Sequence, residues 1–316
     1  MSLIRMLVLL LISLVLACGT PGETSNQEKL TPVAESPPTV VREFMLVSTG
    51  WLATELKNEN VVVLHVATSP KNYETGHIPG AHYLGWEQLA TTVDGVPNEI
   101  PSLEALTELV RSLGIDRDKR VVIYDEENGI RAARVYFTLD YLGLGGNSSL
   151  LNGQLAIWKE EGLPLSNEAP TAVHSDFEPT VNERIIVRMN ELVAMVGGEG
   201  MQGKLLDCRP PDQFSGENPG KGIVRGGHLP GAQNLPALKT VISAENPLFL
   251  SPDKLRELFR KAGLNTDRPT VTYCRTGRSA SLHYFALKYL GYDARLYDGS
   301  FSQWQATESN PVATGQ

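Results

Sequence analysis

The sequence predicts an α/β protein of two tandem units, each a mostly parallel sheet flanked by helices. Three observations carry this. A block with a strand-like run and a GH[IL]PGA turn occurs twice, offset by about 150 residues. Within each copy, strand-like runs alternate with helical ones, the pattern of a parallel sheet. The chain has 316 residues with apolar and charged fractions of 41% and 20%, as expected of two globular domains.

In chain order, Arg5 precedes an apolar run, Met6 to Leu16, and then Ala17-Cys18. That run is short for a bilayer span and has the length of a signal-peptide core. Ala17-Cys18 after Val15-Leu16 resembles a bacterial lipobox, with Val15 where leucine is commonest. The resemblance implies lipidation of Cys18 and a place in the cell envelope, on the periplasmic side or in the outer membrane. A plain secretory signal or an uncleaved anchor is the alternative. Residues 19–42, rich in Gly, Pro, Ser, Thr and Glu, read as a tether. The expected organisation is 1–17 signal, 18–42 tether, 43–168 first domain, 169–182 linker and 183–316 second domain. The net charge of −8 without long basic runs argues against a nucleic-acid partner.

The first copy opens on the strand-like run Val61–Val66 and reaches Gly76-His77-Ile78-Pro79-Gly80-Ala81. Ser102 caps a helix with Leu103, Leu106, Leu109 and Val110 on one stripe, stopped by Gly114. A second strand, Val121–Asp125, leads to a helix striped with Ala132, Val135, Tyr136 and Leu139. Pro170 and Pro179 mark the linker. The second copy repeats the order: Lys204–Arg209, then Gly227-His228-Leu229-Pro230-Gly231-Ala232. Ser251-Pro252-Asp253 starts a helix that Gly263 ends. Thr270–Tyr273 is its later strand, and Leu282, Phe285, Ala286 and Tyr289 mark the following helix. Asn152-Gly153 with Trp158 matches Asp298-Gly299 with Trp304; both tryptophans read as packing residues.

Cys274 stands between that last strand and helix, followed by Arg275-Thr276-Gly277-Arg278-Ser279. Helix N-termini and neighbouring guanidinium groups favour thiolate over thiol. The reading is a sulfur nucleophile in an anion-binding loop. At the matching position the first copy has Asp125, followed by acidic Glu126-Glu127. A carboxylate cannot replace a sulfur nucleophile, so the first unit is read as structural. It can still shape a cleft between the units.

The paired GH[IL]PGA turns, the Asp207-Cys208-Arg209 segment, the C-x-x-G loop after Tyr273 and Tyr297-Asp298-Gly299-Ser300 with Trp304 together resemble the two-domain rhodaneses. The similarity runs from about Val47 to about Pro311. It implies two rhodanese-like domains, the first inactive, and transfer of a sulfane sulfur through a persulfide on Cys274. It further implies that the backbone from Arg275 to Ser279 surrounds the sulfur. Arg275 matches the basic residue beside the cysteine in thiosulfate-using members, and Asp207 and Arg209 match a segment leading to the site. Substrate contacts are therefore expected from Arg275, Thr276, Gly277, Arg278, Ser279, Asp207 and Arg209. Thr276 and Gln213 stand where some thiosulfate-using members carry basic residues, which points to weak thiosulfate binding. Expected partners are a small sulfur donor and a thiophilic acceptor, cyanide or a thiol, plus a membrane through the lipid. No cofactor or metal is expected.

Rival readings are 3-mercaptopyruvate sulfurtransferase and a non-enzymatic, lipid-anchored sulfur carrier. A C-x5-R phosphatase loop does not fit, because Ala280 occupies the arginine position. His77 and His228 recur in both copies and read as turn-stabilising. His65, His82, His174 and His283 show no ligand-like clustering. Cys208 reads as a small packed side chain. A disulfide with Cys274 stays open at this level, although one made for stability would silence the nucleophile.

Overall fold

The computed structural model describes residues 40–171 and 173–315. The signal segment, Cys18 and nearly all of the tether lie outside the described residues. The described residues form one compact unit.

The first half runs β1 (Leu46–Val47), α1 (Thr49–Glu55), β2 (Val61–Ala67), α2 (Pro70–Glu74) and β3 (Ala81–Gly85). It continues with β4 (Thr91–Val93), β5 (Val96–Glu99), α3 (Leu103–Ser112), β6 (Arg120–Asp125), α4 (Ile130–Tyr141), β7 (Ser148–Leu151) and α5 (Gln154–Glu160). The second half runs α6 (Met189–Val196), β8 (Lys204–Asp207), α7 (Pro211–Ser215), β9 (Gln233–Asn234) and α8 (Pro252–Lys261). It ends with β10 (Thr270–Tyr273), α9 (Ala280–Tyr289), β11 (Ala294–Leu296) and α10 (Ser300–Ala306).

Each half has its own parallel sheet, ordered β1-β7-β6-β2-β3 in the first and β11-β10-β8-β9 in the second. A parallel bridge from Ile186 to Leu296 stands where β1 pairs in the first sheet. Strands β6 and β10 are central and apolar because parallel sheets are covered on both faces. Their C-terminal ends deliver Asp125 and Cys274 to equivalent places. The turns are tied to these strand ends: Ile78 N–H donates to the Tyr124 hydroxyl and Leu229 N–H to the Tyr273 hydroxyl. His77 Nδ1 lies 2.9 Å from the Tyr73 carbonyl, and His228 Nδ1 lies 2.8 Å from that of Phe214. Both histidines thus hold turns. At Gly227 (φ +126°) a Cβ would stand 2.1 Å from the Ala313 carbonyl, where the returning C-terminal segment is clamped.

Helices α4 and α9 depart from the amphipathic stripes expected of them. Both are buried almost all round, because they pack on their own sheets and on each other. Tyr136 meets Phe285 and Phe137 meets Tyr284 edge-on, at 4.9 and 5.1 Å between centroids. The Tyr284 hydroxyl donates to Asp140, which also pairs with Lys288 at 3.0 Å. One apolar cluster consequently runs through both halves. Two capping expectations separate: Ser102 Oγ accepts from Ala105 N–H, whereas Ser251 occupies its N-cap without a side-chain bond, Pro252 setting the first turn instead. The expected linker is laid against the first half, with Phe177 buried and Thr180 N–H donating to Leu142.

Candidate active site

In the first half the loop after β6 closes on its own side chain. Asp125 is fully buried. Its Oδ1 accepts from the N–H groups of Glu127 and Gly129, at 2.9 and 3.1 Å. Its Oδ2 accepts from those of Arg131 and Ala132, at 3.0 and 3.2 Å. Burial pushes this carboxyl up, against the opposite pull of those donors. A strand-to-helix loop of this type is therefore a nest of converging N–H dipoles, and here a carboxylate fills it.

The loop after β10 is built alike around a shorter side chain. Among the described residues, the backbone N–H groups of Arg275, Thr276, Arg278, Ser279 and Ala280 have no protein acceptor. Gly277 takes the left-handed turn (φ +76°), and a Cβ there would sit 2.7 Å from Asp298. Its N–H donates to Ser300 Oγ at 2.9 Å, as does Cys274 N–H at 3.2 Å. Ser300 in turn donates to the Tyr297 carbonyl. The first half uses Gln154 in this role, its Oε1 accepting from Asp125 N–H. Both residues follow a glycine and hold positive φ, +55° at Gln154 and +51° at Ser300.

The expected site residues divide. Cys274 lies at the loop base with 2% of its surface exposed. Thr276 and Gly277 are buried, Arg275 and Ser279 half-buried, and Arg278 exposed. Arg275 Nη1 donates to the Lys221 carbonyl, and Arg278 stands over the Trp86 ring at 5.8 Å. Arg275 and Arg278 give the loop two guanidinium groups that are not fully buried. The expectation that Asp207 contacts substrate is corrected. It is fully buried and both of its oxygens are taken by Arg209, at 2.5–3.1 Å. Arg209 also donates to the Gly227 carbonyl and stacks over Phe301 at 4.0 Å, leaving Nη1 without a partner. Burial works against its charge, but the bonds and charge of Asp207 outweigh that and raise its pKa. Arg209 is thus a fixed cation behind the loop, with Cys274 within reach of its field.

The first half supplies residues that the sequence reading missed. The β4–β5 hairpin reaches the loop after β10. Asn98 there has φ +67° and is held on three sides. Its Nδ2 donates to Thr276 Oγ1 at 2.8 Å, its Oδ1 accepts from Trp86 Nε1 at 3.1 Å, and its carbonyl accepts from Arg134 Nη2 at 2.8 Å. Arg134, fully buried in α4, pairs with Asp298, which also accepts from Ile100 N–H at 2.8 Å. Burial, then the Asp298 charge, push the neighbouring Glu99 carboxyl up to about 7. A hairpin signal was present in Val93-Asp94-Gly95-Val96. The position of Ser300, directly after a glycine in both copies, was also available. Nothing local marks Asn98 or Arg134, whose roles arise only from contact between the halves.

Residues 48–161 and 189–307 match the rhodanese-like domain family. The chain is 35% identical over 284 residues to the sulfur carrier protein TtuD of Thermus thermophilus, covering 86% of this chain and 97% of that protein. It is 34% identical over 284 residues to a thiosulfate sulfurtransferase of Corynebacterium glutamicum, covering 86% and 91%. The crystal structure of the 3-mercaptopyruvate sulfotransferase SseA from Escherichia coli superposes with a TM-score of 0.72 at 27% identity, covering 82% of this chain and 99% of that one.

Proposed function

The chain belongs to the rhodanese family, and on that premise we propose that it moves a sulfane sulfur from a small anionic donor, thiosulfate first, to a thiophilic acceptor through a persulfide on Cys274. The observation that carries this is the contrast between the two loops. One half satisfies its N–H nest with Asp125, whereas the other has a cysteine at that position and leaves the matching N–H groups of Thr276, Arg278 and Ala280 without a protein acceptor among the described residues.

In the first step the Cys274 thiolate attacks the outer sulfur of thiosulfate. The new S–S bond forms as the old one breaks, and sulfite leaves with the electron pair. Negative charge on the transferred sulfur is met by fixed N–H dipoles that need no reorganisation. Arg275 and Arg278 draw the dianion in, and Arg209 adds a buried positive charge. In the second step cyanide or a thiolate attacks the terminal sulfur and Cys274 leaves as thiolate. This is ping-pong covalent catalysis by the chain's own residues.

The test is mass spectrometry with turnover. Thiosulfate should add about 32 Da at Cys274, one sulfur atom, removable by cyanide. Cys274→Ser should abolish both the adduct and thiocyanate formation in a folded protein, and full activity in that variant would refute the assignment. Arg275 and Arg278 favour thiosulfate, while the mercaptopyruvate activity named for the Escherichia coli structure motivates assay of that donor alongside. Gln213 packs against Gly220, next to the Lys221 that Arg275 contacts. Gln213→Arg should therefore raise kcat/KM for thiosulfate, and Arg275→Ala should lower it about tenfold, the worth of one charge-assisted bond. Unchanged thiosulfate turnover in Arg275→Ala, with mercaptopyruvate far the better donor, would favour the second substrate.

We further propose lipid anchoring at Cys18 and an envelope location, supported by the apolar run that ends at that cysteine. No helix among the described residues is long and apolar enough to cross a membrane. Fatty-acid labelling of the wild type but not of Cys18→Ala is the expected result.

A further inference from the structure

The parallel register of β8 and β10 sets Leu206 opposite Thr272 and Asp207 opposite Tyr273. The next pair in line is Cys208 and Cys274, and Cys208 N–H donates to the Tyr273 carbonyl at 2.9 Å, so the ladder continues to that point. Neighbouring strands lie about 4.8 Å apart, inside the span of about 4.4–6.8 Å between Cα atoms that a disulfide bridges. The side chains also share a face. Leu205 and Tyr273 belong to one apolar cluster, while Leu206, Cys208 and Cys274 belong to the other, under α9. Both thiols are free and almost fully buried. The Cys208 Sγ makes one weak contact, with the Leu206 carbonyl at 3.6 Å.

We propose that Cys208 is a resolving thiol for Cys274, closing it as a reversible intramolecular disulfide when a peroxide oxidises the nucleophile. This rests on Cys274 being the reactive thiol of the sulfur-transfer reading. The Cys274 thiolate attacks one peroxide oxygen, giving a sulfenic acid and releasing hydroxide or alkoxide; sulfur is oxidised and the O–O bond reduced. Cys208 sulfur then attacks the sulfenic sulfur, and the oxygen leaves as water with the Cys208 proton. An external dithiol returns two electrons and restores both thiols. Burial, then the neighbouring Cys274 and Asp207, push the Cys208 thiol well above its ordinary range. Cys208 therefore stays a neutral thiol during turnover and does not discharge the Cys274 persulfide as hydrosulfide.

The test treats reduced full-length protein with hydrogen peroxide and maps its peptides without reduction. The expected product is a peptide pair joined through Cys208 and Cys274, about 2 Da lighter than the two thiols. Activity should be lost with its formation and return with dithiothreitol. Cys208→Ser and Cys208→Ala should instead accumulate sulfinic and sulfonic acid at Cys274, and dithiothreitol should recover roughly tenfold less of their activity. Wild-type protein that over-oxidises at Cys274 with no 208–274 link overturns the inference, whatever the variants do. The thiosulfate adduct is measured first on the reduced protein. Its absence counts against the sulfur-transfer reading, whereas its presence with no link counts against Cys208 alone.

Discussion

At the scale of single residues, Asp125 and Cys274 show how one loop serves two ends. Four N–H groups converge on the Asp125 carboxylate. Asp125→Ala leaves them facing a cavity with no acceptor, and an unmade buried bond is costly. The expected loss is about 3 kcal/mol in urea denaturation, with little change in thiosulfate kcat for the protein that stays folded. A severe fall in kcat at unchanged stability would assign Asp125 a chemical role. The setting of Cys274 was legible because it is local: a strand, a loop with Gly277 and a helix, consecutive in the chain. Asp207 was misread for the converse reason. Its place in the motif was visible, but that both oxygens are held by Arg209 follows only from the buried fork between them.

At the scale of elements, the β4–β5 hairpin of the first half reaches the loop that follows Cys274. Asn98 holds a left-handed backbone and gives its amide to Thr276 in that loop. Asn98→Ala removes that bond and the acceptor of Trp86 while keeping the strained φ. The Thr276 hydroxyl is then free to turn, and kcat should fall about fivefold, one net hydrogen bond's worth, with KM changing less. Asn98→Asp retains the acceptor for Trp86 and lets Thr276 donate in turn, so it should recover much of the rate. Equal kinetics in all three proteins would remove the hairpin from the mechanism. The hairpin turn was readable from Asp94-Gly95; its docking was not, because hydrophobic period and turn chemistry describe an element and not its neighbours.

At the scale of the whole molecule, two buried histidines and the half-buried Glu99 give opposing pH dependences. Burial lowers His65 to about 4 and His283 to about 3. Below an unfolded value of about 6.5 the unfolded chain binds these protons and the native one resists them, so stability falls with acidification from there. Glu99, raised to about 7, acts the other way. Between about 4.5 and 7 the native state holds a proton that the unfolded chain has lost, so this contribution falls as pH rises. Glu99→Gln should therefore leave a steeper gain in melting temperature from pH 5 to 7 than the wild type shows. Identical profiles would mean that Glu99 titrates normally. The repeat made two sheets legible from sequence, but the shared apolar cluster was not, because a stripe does not say what it faces.

That shared interior bears on how the chain could have changed over time. Once α4 and α9 lie against each other, each copy is solvent for its twin. A change at position 125 lies away from that packing, whereas removal of the whole first copy takes away the face that α9 packs on. Residues 183–316 made alone would bare the outer side of α9, with Tyr284 and Phe285, to water. Such a fragment should collect in the pellet on expression, and come into solution when the first half is supplied in trans.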